Sequence, residues 1–563
     1  MAERSAKELM LRRDRAWNML EQEDINQYDA YLLSQPGTAS LNHYSGGAPD
    51  SALGIDNFSD AQNEYALVYD STLPNALQML VSKTMTTLFT SGSRWANLQA
   101  RPRVENGFSV KVTAQQSTAL GILEEQIFTA IHSSNADTAL HTTLPDGLTG
   151  GKGVMKVHPE PMNGGGAVAY ETLSQRKVAI GYSPTGENEF IFPAALHLSY
   201  EQIFDVWKDA TNVYKEPVNA DDAAAKAEPP LHEVWDVGYY NKTSKKWDYR
   251  VIQRAGEDKE PRVIFEDTYD LCPWIIFHTG KAAGTNSPRS PVHRVLPDTK
   301  VLNQIAYHTT EASAFNALGT YLVQTGAILN PSSSPVVPGG VIEVANLTNS
   351  VAPPVQPLPT SGRLDLAYVK RDELQASVRK GMMVDALPPV DGSVRSATEF
   401  IERKKELAQE IGALFGILMS SVGMQIIMHT AYGLERQEKI DKEVLAAAAG
   451  GDTDKTLVEL LGEQIEIVFT NHLMQAQQLL DAQAILEGVH AVKNAYGNEA
   501  FYIYMNVGKS IRKLWEKLDL PTEMLNEEET ADEQWARLIS SLTANEKVLV
   551  NQRAPQSARA GGP

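Results

Sequence analysis

Apolar residues keep a helical spacing near both ends of the chain and in its middle, and alternate in between. Residues 1–34 read as mostly helix, with Ala6, Leu9, Met10, Arg13, Ala16, Trp17 and Leu20 mixing core and solvated positions. Residues 61–90 predict a second helical region, interrupted near Pro74. Residues 108–145 predict a third, marked by Leu120, Ile122, Leu123, Ile127 and Ile131. Residues 167–182 and 188–198 read as strands, and alternating runs predict strands over 231–240, 247–254 and 262–266. The strands between 231 and 266 suggest an antiparallel sheet with one solvated face. His197, Tyr200 and Phe204 lead into a further helix. Residues 35–60 and 216–230 are rich in small, polar and acidic residues and predict loops.

The second half changes style. A helix is expected from Pro297 to about Leu318, and another from about Leu364 to Met383. Between them lie Pro331, Pro335, Pro338, Pro353, Pro354, Pro357 and Pro359, with short β-like runs at 321–323 and 341–344. This reads as a stalk carrying a small β-rich knob. Residues 384–395 hold Pro388, Pro389 and the turn pair Asp391-Gly392, so regular structure is not expected there. Ser396-Ala397-Thr398-Glu399 is then a capping box. Apolar residues at Ile401, Leu407, Ile411, Leu414, Leu418, Val422 and Ile426 predict a long helix behind it. Residues 456–545 read as mostly helical, and the Ala/Gly/Pro/Arg-rich end as disordered.

Composition narrows the classes. At 563 residues the chain is long enough for three or four domains. The single cysteine, Cys272, excludes an intrachain disulfide and reads as a small buried apolar residue. No apolar leader and no run of about 18 apolar residues is present, so neither a secretory signal nor a membrane span is expected. Gly151-Lys152 invites a phosphate-loop reading, but Asp146 stands where the first Gly is required and Gly153 where Ser or Thr is required. A turn into a strand fits better. The twelve histidines form no metal motif and no nucleophile elbow exists, so no enzyme, cofactor or metal is expected. Net charge is −20. That charge suits either simple solubility or a surface past which nucleic acid must move without sticking.

Several stretches resemble the portal proteins of short-tailed bacteriophages, also called head–tail connectors. Arg395-Ser396-Ala397-Thr398-Glu399 resembles that family's R-x-T-A-T-E helix start, with Ser396 for Thr. Ser91-Gly92-Ser93-Arg94-Trp95-Ala96-Asn97-Leu98 resembles P-x-S-R-W-F-x-L, with Trp95 read as a core anchor. Pro273 to Phe277 resembles a P-x-x-x-x-R-W strand, 284–292 stands where a Y-G-R-G-P-like turn occurs, and 506–525 resembles the C-terminal crown. The resemblance covers nearly the whole chain, and the shared order of these stretches is its specific part.

The resemblance implies a mainly helical α+β portal-type fold. Its parts would be a wing (1–296), stem helix 1 (297–320), clip (321–361), stem helix 2 (362–383), tunnel loop (384–395), long wing helix (396–449), helical crown (456–545) and disordered tail (546–563). It implies a ring homo-oligomer, commonly of twelve, at one capsid vertex of the virion, assembled in the host cytoplasm. Double-stranded DNA would pass through it during packaging and ejection. Implied partners are the terminase large subunit, tail adaptor and nozzle proteins, the major capsid protein and scaffolding protein, with no membrane. The implied DNA-channel residues are Pro388, Pro389, Val390, Asp391, Gly392 and Arg395, and the implied docking residues are Val336, Val337, Pro338, Val341 and Ile342. Arg379 and Lys380 suit weak phosphate contacts or, equally, pairing with acids of an adjacent copy. An internal scaffold, or another structural virion protein without a DNA pore, is the alternative.

Overall fold

The computed structural model describes residues 5–38, 64–101, 104–105, 108–109, 114–159, 168–214, 231–254, 260–282, 287–318, 321–324, 341–344, 355–357, 364–384, 412, 414–448, 456–470, 486 and 488. The chain divides into two compact units. The first is Met1–Thr86, Leu98–Pro388 and Ile411–Ile467; the second is Thr87–Asn97, Pro389–Glu410 and Val468–Pro563. The fold is mixed helix and sheet, as expected for α+β.

Helix α1 (Ala6–Ser34) starts at Ser5, whose side chain accepts from the Glu8 N–H at 3.3 Å. Helix α2 (Thr72–Leu88) follows, and Asp70 accepts from the Thr72 N–H at 2.8 Å. Helical residues 64–67 and a break over 68–71 precede α2, so the expected interruption near Pro74 is present, and Pro74 itself lies in the first turn of α2, where an N–H has no intrahelical acceptor anyway. Strands β1 (Ala96–Ala100), β2 (Val104–Glu105) and β3 (Phe108–Ser109) come next. Helices α3 (Ala114–Ser133) and α4 (Ala136–Gly150) come after them. The expected helix over 108–145 is therefore two helices preceded by a strand.

Helix α4 ends as the glycine pair predicts. Gly151 takes φ 97, and its N–H donates to Gly147 O. A Cβ at 151 would meet Arg289 N at 2.9 Å, so the turn needs glycine for conformation and for space. The chain passes straight into β4 (Lys152–His158).

Two sheets build the centre of the first unit. Strands β5 (Ala169–Leu173), β6 (Val178–Tyr182), β7 (Asn188–Pro193) and β8 (Leu196–Ser199) lead to helix α5 (Tyr200–Val206). Ser199 and Gln202 form a capping box on α5. Then come β9 (Leu231–Asn241), β10 (Lys246–Arg254), β11 (Arg262–Tyr269) and β12 (Trp274–His278). The larger sheet runs β11-β10-β9-β7-β6, with β8 also on β9. The smaller runs β12-β4-β5, and β4 is antiparallel to both neighbours.

The expected solvated face survives on the edge strand β11, where Arg262, Glu266 and Thr268 are exposed, but elsewhere in the larger sheet both faces are covered. On one face Val178, Ile180, Ile191, Val234 and Val251 share a core with Ile203 and Trp207 of α5 and with Val154, Trp274 and Ile276 of the smaller sheet. On the other, Ala179, Phe190, Phe192, Trp235, Val237 and Tyr239 pack against Leu9, Met10, Ala16 and Leu20 of α1. Both alternating sets are apolar because both are covered. Gly238 marks the tightest approach: a Cβ there would lie 2.2 Å from the Trp274 ring. Between the sheets Lys156 Nζ meets the Asp236 carboxylate at 2.5 Å, with the Tyr249 hydroxyl 3.5 Å away. Burial pulls the Lys156 ammonium down, but the Asp236 charge outweighs it and the net shift is upward.

In the second unit the described residues around Trp95 bear out its reading as a core anchor. Its ring meets Phe89 edge-on at 5.4 Å and stacks on Phe469 at 6.3 Å.

Candidate functional site: a helical hairpin and its tip

Helix α6 (Pro291–Leu318) begins six residues before the expected Pro297. Ser290 explains the start: its Oγ accepts from the His293 N–H at 3.1 Å and donates to Thr149 O at 2.7 Å, and Pro291 supplies the first helical residue. Three short strands follow: β13 (Tyr321–Gln324), β14 (Val341–Val344) and β15 (Val355–Pro357). β13 is central, parallel to β14 and antiparallel to β15. Helix α7 (Leu364–Gly381) returns and packs on α6.

The hairpin's inner seam has helical spacing. Val295, Thr299, Leu302, Ala306 and Thr309 are buried on α6, and Leu374, Val378 and Met382 on α7 and its end. Gly381 sits where a Cβ would come 2.3 Å from Val295 Cγ1, so the two helices are closest at this base.

Polar latches tie the base to the segment before α2. Asn303 donates to Leu67 O at 3.0 Å and accepts from the Tyr69 N–H at 2.7 Å. Gln375 donates to Asp70 at 2.9 Å; within the hairpin Ser377 of α7 donates to Asp298 of α6 at 2.7 Å, and Lys300 pairs with Asp29 of α1. The Tyr69 and Tyr307 rings lie 4.8 Å apart. None of these residues stands out in the sequence, because the latches join three segments that no local pattern connects.

Away from the base the hairpin turns its apolar residues outward. Leu366 is 59% exposed, Val369 58% and Leu318 64%, and Tyr368 is exposed as well. Of the other α6 residues with apolar or small side chains, Ala306 is buried within the chain, Ile305, Ala312 and Phe315 are half-buried, and Ala317 is exposed.

Helix α7 ends in a tight stop. Met383 takes φ 57, Val384 N–H donates to Arg379 O at 3.0 Å, and Met383 N–H to Lys380 O at 2.9 Å. This paired pattern is a Schellman motif with Met where Gly is usual. Lys83 Nζ holds the Val384 carbonyl. The sequence-predicted cations Arg379 and Lys380 occupy this last turn and are exposed, where positive charge also suits the helix dipole.

Of the expected docking residues, Val341 and Ile342 fall in β14, opposite Tyr321 and Leu322. Val336, Val337 and Pro338 lie outside the described residues. So do Pro388, Pro389, Val390, Asp391, Gly392 and Arg395, and the Ser396–Glu399 capping box.

The helix expected over 396–449 is not continuous. Helical residues 414–418 pass through one turn of π-helix, Met419–Gly423, into α8 (Met424–Arg436). Glu438 at φ 52 ends it, and a separate helix, α9 (Lys442–Ala448), follows. Leu414–Arg436 has the length and composition to cross a membrane, but it is mostly buried within the protein, as a core helix is. The helical reading of 456–545 is also corrected: α10 (Leu457–Glu463) gives way to strand β16 (Ile465–Phe469), paired with β1. The rest of that stretch, apart from residues 470, 486 and 488, and the expected disordered end at 546–563 lie outside the described residues.

No group of His, Cys, Asp or Glu among the described residues could hold a metal. Burial pulls His429 down to about 4 and, with help from Lys281 and Lys152, His278 to about 3, so both are neutral near pH 7. Burial pushes the Cys272 thiol up to about 12, leaving it without thiolate character.

A family model described as bacteriophage head to tail connecting protein matches residues 50–525. The chain belongs to that family. It is thus a structural, virion-associated connector of the bacteriophage type. No curated protein matches it. Among solved structures, the connector is similar to a chain in the virion of a native gene transfer agent particle. Identity is 10%, TM-score 0.32, and the match covers 87% of this chain and 99% of that one. It is similar at 11% identity to chains in the neck of the native particle (C12 symmetry, TM-score 0.31) and of the empty particle (C6 symmetry, TM-score 0.33). Each of those covers 80% of this connector and 90% of the neck chain. Likeness at this level carries no functional argument.

Proposed function

We propose that the connector is the subunit of a portal ring of twelve copies at one capsid vertex, through which the genome enters and leaves. The observation that carries this reading is the hairpin: two long helices pinned at their base, exposed apolar residues on their outer part, and a small sheet between their far ends. Such an apolar surface is normally covered by a neighbour. In this reading 1–296 is the wing, α6 and α7 are the stem, 321–361 is the clip, 384–395 is the tunnel loop and 456–545 the crown. The clip docks the terminase large subunit during packaging and later the tail adaptor and nozzle proteins. Major capsid and scaffolding proteins surround the wing.

DNA passes a surface that grips it weakly. A chain of net charge −20 repels phosphate, which favours sliding. Arg379 and Lys380, exposed at the stem's base, supply weak phosphate contacts. The loop residues Pro388, Pro389, Val390, Asp391, Gly392 and Arg395 touch DNA by steric contact and restrain packaged genome from leaving. The test deletes Pro388 to Gly392. Rings should assemble and packaging should start, but heads should lose DNA before tails attach. Heads that keep full-length genome as stably as wild type reduce the loop to a linker.

A further inference from the structure

Helix α8 carries Gln425, Met428 and His429 on one face, as their spacing of three and four residues requires. Against that face lie Trp274 of β12 and Cys272 from the turn before it, with Trp247 of β10 and Asn188 of β7. Together they line a cavity of about 150 Å³ at the rim of the core between the two sheets. Trp247, Cys272 and Gln425 are only half-buried, so the cavity opens to solvent.

The polar side of this cavity is incomplete. His429 is 6% exposed, and no described residue hydrogen-bonds to its ring; burial alone lowers its pKa. The ring nitrogens of His278 are unpaired and also sealed from solvent, whereas those of His429 are not sealed. Polar atoms buried to this degree are normally completed by a partner. The Gln425 and Asn188 side chains on the same cavity make no hydrogen bond to a described residue either. The lining holds no Asp, Glu, Lys or Arg, and its Cys272 thiol and His429 are both neutral near pH 7. A charged guest would lose its hydration there without gaining a counter-charge.

Water alone would serve the polar groups, but the indoles of Trp247 and Trp274 and the Met428 thioether are flat or polarisable walls that an aromatic ring covers better. A cavity of this order holds one benzene-sized ring. We propose that it binds a small neutral hydroxylated ring, of the phenol class, with the ring against Trp247, Trp274 and Met428 and the hydroxyl at His429 and Gln425. A hydroxyl both donates and accepts, which suits a neutral imidazole beside an amide. A bound ring braces α8 against β12 and so stabilises the folded chain. This site is separate from the surfaces of the portal reading and stands without it.

Phenol itself is the probe, titrated into the full chain by calorimetry. One molecule should bind per chain, and the unfolding temperature should rise with phenol concentration. Benzene lacks the hydroxyl and should bind about tenfold more weakly. Benzoate carries a charge and should not bind. His429→Leu should bring phenol down to the affinity of benzene and leave benzene unchanged. Gln425→Ala changes a half-buried side chain and keeps the test open if the first variant folds poorly; it should weaken phenol about fivefold and leave benzene unchanged. No binding heat and no rise in unfolding temperature at about 10 mM phenol would mean that the cavity holds water only, and would overturn the proposal. Equal affinities for phenol and benzene in the wild type, or a phenol affinity that neither variant changes, place the ring elsewhere and overturn it too.

Discussion

Along β9 the side chains of both faces are buried: Val234 and Asp236 point toward the smaller sheet, Trp235, Val237 and Tyr239 toward α1. Along α7 only one stripe is buried, Leu374, Val378 and Met382, while Leu366 and Val369 face water. The sheet region completes itself within one chain, even to a buried ion pair between its layers. The hairpin completes only its seam and its base. A surface left apolar in one copy is a surface whose stability contribution waits on another copy. Substitutions in the sheets should therefore change the folding of the single chain, and those on the hairpin's outer face its assembly.

The largest expected effect is in the sheets. Asp236→Ala leaves Lys156 buried without its counter-charge and should cost about 3–5 kcal/mol in denaturant unfolding. A loss under about 1 kcal/mol would mean that water reaches the ammonium. Leu302→Ala in the hairpin seam removes a fully buried side chain and should cost about 2–5 kcal/mol, read in the same way. A much smaller loss would show that the seam is loose in the single chain.

Acid should act next. His429 is held near 4 in the folded chain by burial, against an ordinary value of 6.5. The unfolded chain therefore takes up the proton first, and stability should fall as pH drops from about 6.5 to about 4, by roughly 3 kcal/mol at the lower end. His429→Leu should flatten that slope; an unchanged slope would assign the acid sensitivity to other groups. Gly381→Ala sets a methyl against Val295 and should cost about 1–3 kcal/mol, partly recovered by Val295→Ala. The smallest effect on folding belongs to Leu366→Ser with Val369→Ser, within about 0.5 kcal/mol. Their effect on assembly, seen by native mass measurement, should be large. If instead they unfold the monomer and leave assembly alone, the contrast between the two regions is wrong.

Legibility from sequence followed the locality of each signal. Strands 231–269 were readable because turns and alternation lie within each hairpin. The cover on their second face was not, since α1 lies some 200 residues earlier and Trp235, Val237 and Tyr239 resemble scattered surface apolars until a helix lies over them. Ile465–Phe469 fits a helix continuing from Leu457 as well as a strand, and pairing with distant Ala96–Ala100 decides it. The π-turn at Met419–Gly423 leaves the apolar spacing almost unchanged, so no sequence signal marks it. At the site, the short apolar run at 341–344 announced a strand. The Asn303 and Gln375 latches had no comparable signal, being polar residues whose partners come from the 67–70 segment.

The central claim is that one chain leaves the outer face of its hairpin to be covered by identical neighbours around a pore. Images of the purified wild-type connector in negative stain test this most directly. The account predicts rings with a central hole, together with a native mass that is one fixed multiple of 61.8 kDa. Single compact particles without a hole, and a monomer mass across a hundredfold range of concentration, would contradict it.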